Sequence, residues 1–364
     1  MRWRKNKSFL NALKENWSGF LFLFLLISCG LLNQLGMGDG LTFFFKTLTW
    51  HVLGLTIFVI LTFFIDYRTL SFRLVWYIYL FLNFILLVMF FLKKRWLNLG
   101  FFNFQPSEFL KPLLVFIIGY IASLEASPYL SKRVLIKLLI ILGVPLILVM
   151  RNHLEYSLVM GFMFFTYLIF IGIERKVLIT IFLSVVIIGA VVIPIGWKHL
   201  KPYQKGRIYG YLYPEKYAKT WGYQLNQSLI AIGSGGLFGH GFKKGWSTRL
   251  NYIPAKHTDL AFAVWCETWG FLGASIFFFL YGSFLFFALK VSQTAKDWLG
   301  KYISLGVVLI LSWQIFFNVG GITGILPMTG IPFPFLSYGG SYLISLYILL
   351  SLLFNIALRR YFFK

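Results

Sequence analysis

The chain has 364 residues, of which 59% are hydrophobic, 20% aromatic and only 12% charged, with a formal net charge of +23. That balance excludes an ordinary soluble domain, which needs far more polar surface to cover its core. Apolar runs of roughly 17 to 25 residues recur instead, the length that crosses about 30 Å of hydrocarbon, so the expected fold is an all-α polytopic membrane protein.

In chain order, the first sixteen residues are basic, with Arg2, Arg4, Lys5, Lys7 and Lys14, and lead into an apolar stretch. No small-residue cleavage site follows, so the stretch reads as a retained helix rather than a cleaved signal. Hydropathy predicts ten spans, at about 17–35, 43–65, 72–92, 107–123, 134–150, 156–173, 177–195, 258–290, 302–322 and 340–358. An even number places both termini on one side. With the termini cytoplasmic, the inner loops hold Arg68 and Arg73, then Lys132, Arg133 and Lys137, then Arg175 and Lys176, and then Lys290, Lys296 and Lys301. That is the basic bias the positive-inside rule asks for. One short outer loop, with Lys93, Lys94 and Arg95, runs against the rule.

The long connection, about 196–257, is expected outside the cell membrane. It carries Lys198, Lys201, Lys205, Arg207, Lys216, Lys219, Lys243, Lys244, Arg249 and Lys256 against the acid Glu215. Contact with anionic membrane lipid and recognition of a diphosphate-bearing substrate both account for this. Cations spread over both membrane faces form no single footprint, so no nucleic acid partner is expected. Cys29 and Cys266 fit neither a disulfide framework nor a metal site. With no internal repeat or soluble segment visible, residues 1–364 read as one membrane domain.

Asp259 stands in His257-Thr258-Asp259-Leu260, where the long connection meets the eighth span. A helix cap or first-turn acid and a catalytic acid are both open readings. Glu108 and Lys111, three apart after Gln105-Pro106-Ser107, share a helix face and can pair. A snorkelling ion pair and a substrate contact are both open for them, and Ser107 is placed to cap their helix. Glu267, eight residues beyond Asp259, is predicted about two turns deeper on nearly the same face. There it either lines a cavity with Asp259 or serves as a hydrogen-bonded structural acid.

The run Gly233-Ser234-Gly235-Gly236, with Gly239 and Gly241, permits close backbone approach and is a candidate for presenting N–H groups to phosphate oxygens. The glycines and prolines of Gly330 to Gly340 disfavour regular helix, so this segment is expected to be buried in protein or to line a cavity. His51, His153, His199, His240 and His257 lack metal-ligand spacing. Neither a nucleotide loop nor a serine nucleophile elbow is present.

Together these strings resemble the SEDS proteins (shape, elongation, division and sporulation), nearer to RodA than to FtsW. The resemblance rests on QPSE at Gln105–Glu108, KPYQ at Lys201–Gln204 with Arg207 after it, and GYQLNQSLIAIGSGGLFGHG at Gly222–Gly241. It continues through HTD at His257–Asp259, FAV at Phe262–Val264, Glu267, and LSYGGS at Leu336–Ser341. It implies a peptidoglycan glycosyltransferase of a bacterial cytoplasmic membrane that polymerises lipid II, with a class B penicillin-binding protein as crosslinking partner. It also implies that Asp259 is catalytic, as general base. The substrate-binding candidates are Glu108, Lys111, Lys201, Gln204, Arg207, Ser234, Gly235, Gly236, His257, Thr258, Glu267 and Ser337. No cofactor declares itself; a divalent cation beside the diphosphate is left open.

The chain departs from the family pattern at Ala255 and Thr268, where acids are expected, and at His153, where an Asp is expected and Glu155 is the acid that could stand in. Two readings from other classes share the same features: a lipid-linked precursor flippase or other transporter, and a scaffold without catalysis.

Overall fold

The computed structural model describes residues 10–38, 40–100, 102–125, 129–181, 183–184, 190, 197 and 202–360. Its spans begin with α1 (Trp17–Gly36), α2 (Gly40–Val59, continued by a π-helical turn Ile60–Phe64) and α3 (Phe72–Leu92). A small antiparallel pair, β1 (Leu97–Asn98) and β2 (Asn103–Phe104), precedes α4 (Pro106–Ser123), α5 (Lys132–Met150) and α6 (Leu154–Gly172). The long connection is structured, with α7 (Pro202–Leu212), α8 (Tyr223–Ser234) and the short α9 (Trp246–Arg249). The chain ends on α10 (Ala261–Thr294), α11 (Trp298–Ile322) and α12 (Gly340–Arg359).

Among the described residues, nine helices are long and apolar enough to cross a membrane, and the protein is an all-α, multi-pass membrane protein. The expected seventh span, 177–195, falls largely outside the described residues. Local signals set several helix starts. Ser71, Ser131 and Asp297 each accept a backbone N–H of the first turn of α3, α5 and α11, supplying partners to donors that have none within the helix. Ser107 does not cap α4 as expected: Gln105 takes the cap position, and Pro106, whose missing N–H costs nothing there, opens the helix. Lys93 terminates α3 in the left-handed region, its N–H reaching the Met89 carbonyl.

α4 and α12 are the most enclosed spans, while α2, α3 and α5 turn much of their surface outward, as helices facing lipid do. The segment between α11 and α12 lacks regular structure, and Ile331, Phe333, Phe335 and Leu336 are buried in it. That meets the expectation that irregular backbone at this depth is enclosed by protein.

The eighth span differs from its expected form. It begins at Ala261 and is broken at Gly270, which adopts φ 64°, ψ −162°, a conformation essentially reserved for glycine. In a straight helix residues 262 and 278 would be about 24 Å apart at 1.5 Å rise per residue, yet the rings of Phe262 and Phe278 lie 5.1 Å apart. Trp265 Nε1 likewise donates to the Gly273 carbonyl at 3.0 Å. The arm 261–269 therefore folds back on the arm 271–294, and Glu267 lies near the tip of the fold, three residues before the break.

Breaking the helix frees backbone groups that must be satisfied within the protein. The glycine-rich run satisfies them. His240 and Gly241 donate N–H groups to the carbonyls of Glu267 and Thr268, both at 3.0 Å, while Phe271 and Leu272 donate to Gly236 and Leu237 at 2.9 and 3.1 Å. A Cβ on Gly270 would stand 2.3 Å from the Gly239 nitrogen, and one on Gly235 would stand 2.2 Å from the Cys266 carbonyl oxygen. The run is thus bonded to α10, with Ser234 Oγ turned back to the Ala231 carbonyl at 2.9 Å. The expectation that Ser234, Gly235 and Gly236 cradle phosphate gives way to a structural role.

Candidate functional site

Asp259 precedes α10, whose cap position is held by Leu260, so the helix-cap and first-turn readings do not describe it. The backbone around it is tied carbonyl by carbonyl. The His257 carbonyl accepts from Tyr338 N at 2.7 Å and from Gln34 Nε2 at 3.1 Å. The Thr258 carbonyl accepts from Ser337 Oγ at 2.5 Å, and the Asp259 carbonyl from Asn318 Nδ2 at 2.9 Å. α1, α11 and the segment before α12 thus converge on three consecutive residues, the kind of support that fixes a reactive group.

The side chains flanking Asp259 are largely spent on that support. His257 Nδ1 lies 2.8 Å from Gln34 Oε1, and its ring stacks on Phe43 with centroids 3.8 Å apart. Ser337, only 1% exposed, also accepts from Phe333 N at 2.7 Å. His257 and Ser337, expected to touch substrate, are therefore placed to hold Asp259. Asp259 is half-buried, and the protein packed around its carboxyl raises its pKa by desolvation, against lowering by the Arg207 charge and by Thr258.

Arg207 is set by the local build of α7. Gly206 and Gly210, one turn apart, leave no Cβ where the Trp221 ring and backbone pack, at distances down to 2.2 Å from the missing atoms. The helix is thereby locked in rotation. The Arg207 guanidinium pairs with Glu155 at 3.3 Å, and its charge reaches both Asp259 and His153. Gln204 lies on the same helix, half-buried. Lys201 lies outside the described residues.

Glu108 and Lys111 do pair, at 2.5 Å, but at 1% and 3% exposure they are internal rather than snorkelling to the surface. Tyr156 OH donates to Glu108 Oε1 at 2.9 Å, and Lys111 Nζ stands over the rings of Tyr156 and Tyr342 at 5.7 and 5.3 Å. The pair joins α4, α6 and α12. Glu267 is fully buried and accepts from Ser247 N at 2.6 Å, Thr248 N at 3.1 Å and Thr248 Oγ1 at 2.5 Å. It supplies the N-terminal cap that α9 lacks in its own sequence, and does not line a cavity with Asp259. Among the described residues, no group of three or more His, Cys, Asp or Glu side chains is arranged to hold a metal ion.

The site and its scaffold can now be set beside known proteins. The sequence pattern of the FtsW/RodA/SpoVE family, described as cell cycle proteins, matches residues 13–361. The chain is 35% identical over 254 residues to the peptidoglycan glycosyltransferase MrdB of Escherichia coli K12, covering 70% of this chain and 68% of that one. This chain belongs to the FtsW/RodA/SpoVE family. Within it, stage V sporulation protein E of Bacillus subtilis is 30% identical over 267 residues, covering 73% and 71% of the two chains. Two solved structures share the FtsW/RodA/SpoVE fold. One belongs to a peptidoglycan synthase complex in which polymerization and crosslinking are structurally coordinated (TM-score 0.74, 23% identity, 95% and 98% coverage). The other is the rod shape determining protein RodA of Thermus thermophilus (TM-score 0.68, 21% identity, 95% and 97% coverage).

Sequence reading alone missed several residues that build the site in this FtsW/RodA/SpoVE protein. Gln34 and Asn318 were hidden as uncharged polar residues inside predicted spans. Such residues in a membrane helix also signal an internal partner, though less strongly than charged ones do. Asn33, beside Gln34, likewise donates to the Ala261 carbonyl at 2.9 Å.

Proposed function

We propose that this chain, a peptidoglycan glycosyltransferase, extends glycan strands from lipid II on the outer face of a bacterial cytoplasmic membrane, with Asp259 as general base. The observation that carries the reading is the juxtaposition of a carboxylate, on a turn tied at three consecutive carbonyls, with the Arg207 cation. A sugar hydroxyl is a poor nucleophile at neutral pH, and a positioned base contributes roughly two to four orders of magnitude in rate.

In the reaction, Asp259 takes the proton from the 4-hydroxyl of one N-acetylglucosamine as its oxygen attacks the anomeric carbon of another chain's N-acetylmuramic acid. The bond from that carbon to diphosphate breaks, and undecaprenyl diphosphate leaves. Arg207 offsets the charge that builds on the leaving group, the electrostatic contribution that is often the largest in such catalysis. Lys111, enclosed with Glu108, has no such access as placed. The raised pKa of Asp259 suits a base, because proton affinity nearer the working pH makes it a stronger acceptor.

The reading includes cytoplasmic termini and a class B penicillin-binding protein as the crosslinking partner. The test is to incubate the purified chain, with and without that partner, with labelled lipid II and to separate the products by size. Glycan polymer is the expected product. Loss of label to the opposite leaflet without any polymer would favour the flippase reading instead. Cysteines placed between Gly222 and Gly241 are expected to react with an impermeant thiol reagent from outside, and those between Lys290 and Lys301 are not.

A further inference from the structure

Arg207 is held by one carboxylate and acts on another. From α7 its guanidinium reaches Glu155, the acid in the first turn of α6, at 3.3 Å, while its charge is felt at Asp259. The hold is incomplete. Arg207 Nη1, the nitrogen that stands 3.3 Å from Glu155 Oε1, is buried yet makes no aligned hydrogen bond, and Glu155 Oε2 is buried without a hydrogen-bond partner. Arginine and carboxylate ordinarily meet through two parallel N–H···O bonds, and a buried donor left without an acceptor is costly. The pair is therefore a charge contact without an aligned hydrogen bond, a weak hold on a cation whose charge reaches a candidate base.

We propose that Glu155 is a stand-in for the substrate's diphosphate: it retains Arg207 beside Asp259 while the site is empty and yields the guanidinium when the anion binds. The inference rests on the reading above, in which a diphosphate-linked sugar is the substrate. A diphosphate brings more than one negative charge and several acceptor oxygens, so it satisfies the donors that a single carboxylate leaves unused.

The surroundings suit such an exchange. Glu155 stands at the N-terminal end of α6, where the helix dipole tolerates a carboxylate that has lost its cation. His153, two residues before it, offers no replacement charge. Burial and the charges of Arg95 and Arg207 push its pKa down to about 3, so it is neutral. Arg95 is engaged through Nε with the Asn152 carbonyl. Glu155 and Asp259 both lie in the field of Arg207. Releasing Glu155 lets the diphosphate dock next to the base.

The experiment measures binding of undecaprenyl diphosphate to the full purified chain, together with kcat and KM for lipid II. Wild type, Glu155→Gln, Arg207→Gln and the double variant are compared. Removing a competing carboxylate is expected to tighten undecaprenyl diphosphate binding about 1.5-fold to fivefold, the range of a partly exposed ion pair, and to lower KM for lipid II in the same proportion. Arg207→Gln is expected to weaken binding, and in the double variant the gain from Glu155→Gln is expected to vanish. Glu155→Asp, whose shorter side chain withdraws from Arg207, should shift binding in the same direction by less, and it serves if the Gln variant does not fold. Unchanged or weaker binding in folded Glu155 variants overturns the proposal, as does a gain that persists without Arg207. Tighter binding with no polymer from any variant would uphold this role for Glu155 while overturning the polymerase reading.

Discussion

The Ser337 hydroxyl donates to the Thr258 carbonyl at 2.5 Å while accepting from Phe333 N at 2.7 Å. One buried side chain thereby fastens the irregular segment before α12 to the residue next to Asp259. Its value lies in position rather than contact with substrate. Replacing Ser337 by Ala removes both bonds and leaves a part-buried carbonyl and a buried N–H short of a partner, at a cost of about 1–3 kcal/mol for the buried group and less for the other. The expected result is a chain that still inserts and purifies but melts lower. Its polymerisation should fall roughly tenfold or more through misplacement of the base. Wild-type rates in Ser337→Ala would show that the turn is held well enough without it.

Asp259→Asn is expected to abolish polymer formation, a loss of about 10²- to 10⁴-fold, with expression and partner binding retained. Because Leu260 and not Asp259 holds the cap position of α10, the substitution removes no cap. A polymerising Asn variant would end the general-base assignment.

The pH dependence of the same residue is measurable separately. Burial raises the Asp259 pKa in the folded chain above its unfolded value. An acid so shifted stabilises the fold only while protonated: the contribution is full below the ordinary carboxylate range and is lost as pH rises through the raised value. At neutral pH the ionised group is therefore a cost to stability. Asp259→Asn should melt above wild type at pH 7, with the difference shrinking as the pH is lowered. Polymerisation by wild type should decline on the acid side through a pKa above the usual carboxylate range. A limb within that ordinary range would mean that the carboxyl is better solvated than its surroundings indicate.

Glu267→Gln leaves one oxygen to accept from α9 and turns an amide N–H₂ toward donors, so Ser247 N, Thr248 N and Thr248 Oγ1 cannot all be satisfied. The expected outcome is local: faster amide exchange over residues 246–249 and a lower melting temperature, from a cost of about 1–3 kcal/mol. Exchange unchanged across that segment would show that α9 is held by other contacts.

Gly270→Ala tests the fold-back. A Cβ there meets the Gly239 nitrogen at 2.3 Å and sits on a backbone conformation that L-residues rarely adopt. Strain alone costs on the order of 1–3 kcal/mol, and the clash with backbone adds to it. The variant is expected to lose the pairing between residues 236–241 and 267–272, seen as protease sensitivity of the long connection. A fully active, protease-resistant Ala variant would show that the break does not depend on glycine.

Composition and hydropathy determined by themselves that this chain lives in lipid and roughly where its spans lie, because a membrane helix must be apolar over its own consecutive residues. The strings around Asp259 and Arg207 were also legible, since scarce charges at membrane boundaries stand out locally. The fold-back at Gly270, the capping of α9 by Glu267 and the pairing of Glu155 with Arg207 were decided only by the tertiary structure. Helical periodicity carried straight through Gly270 gave the eighth span one continuous axis, whereas a single positive-φ glycine folds the chain back on itself. Gln34 bonds across 223 positions to His257, and Ser337 across 79 to Thr258. No pattern within one element encodes such pairs, because they exist only once separate helices have packed and their remaining polar groups must find partners away from water.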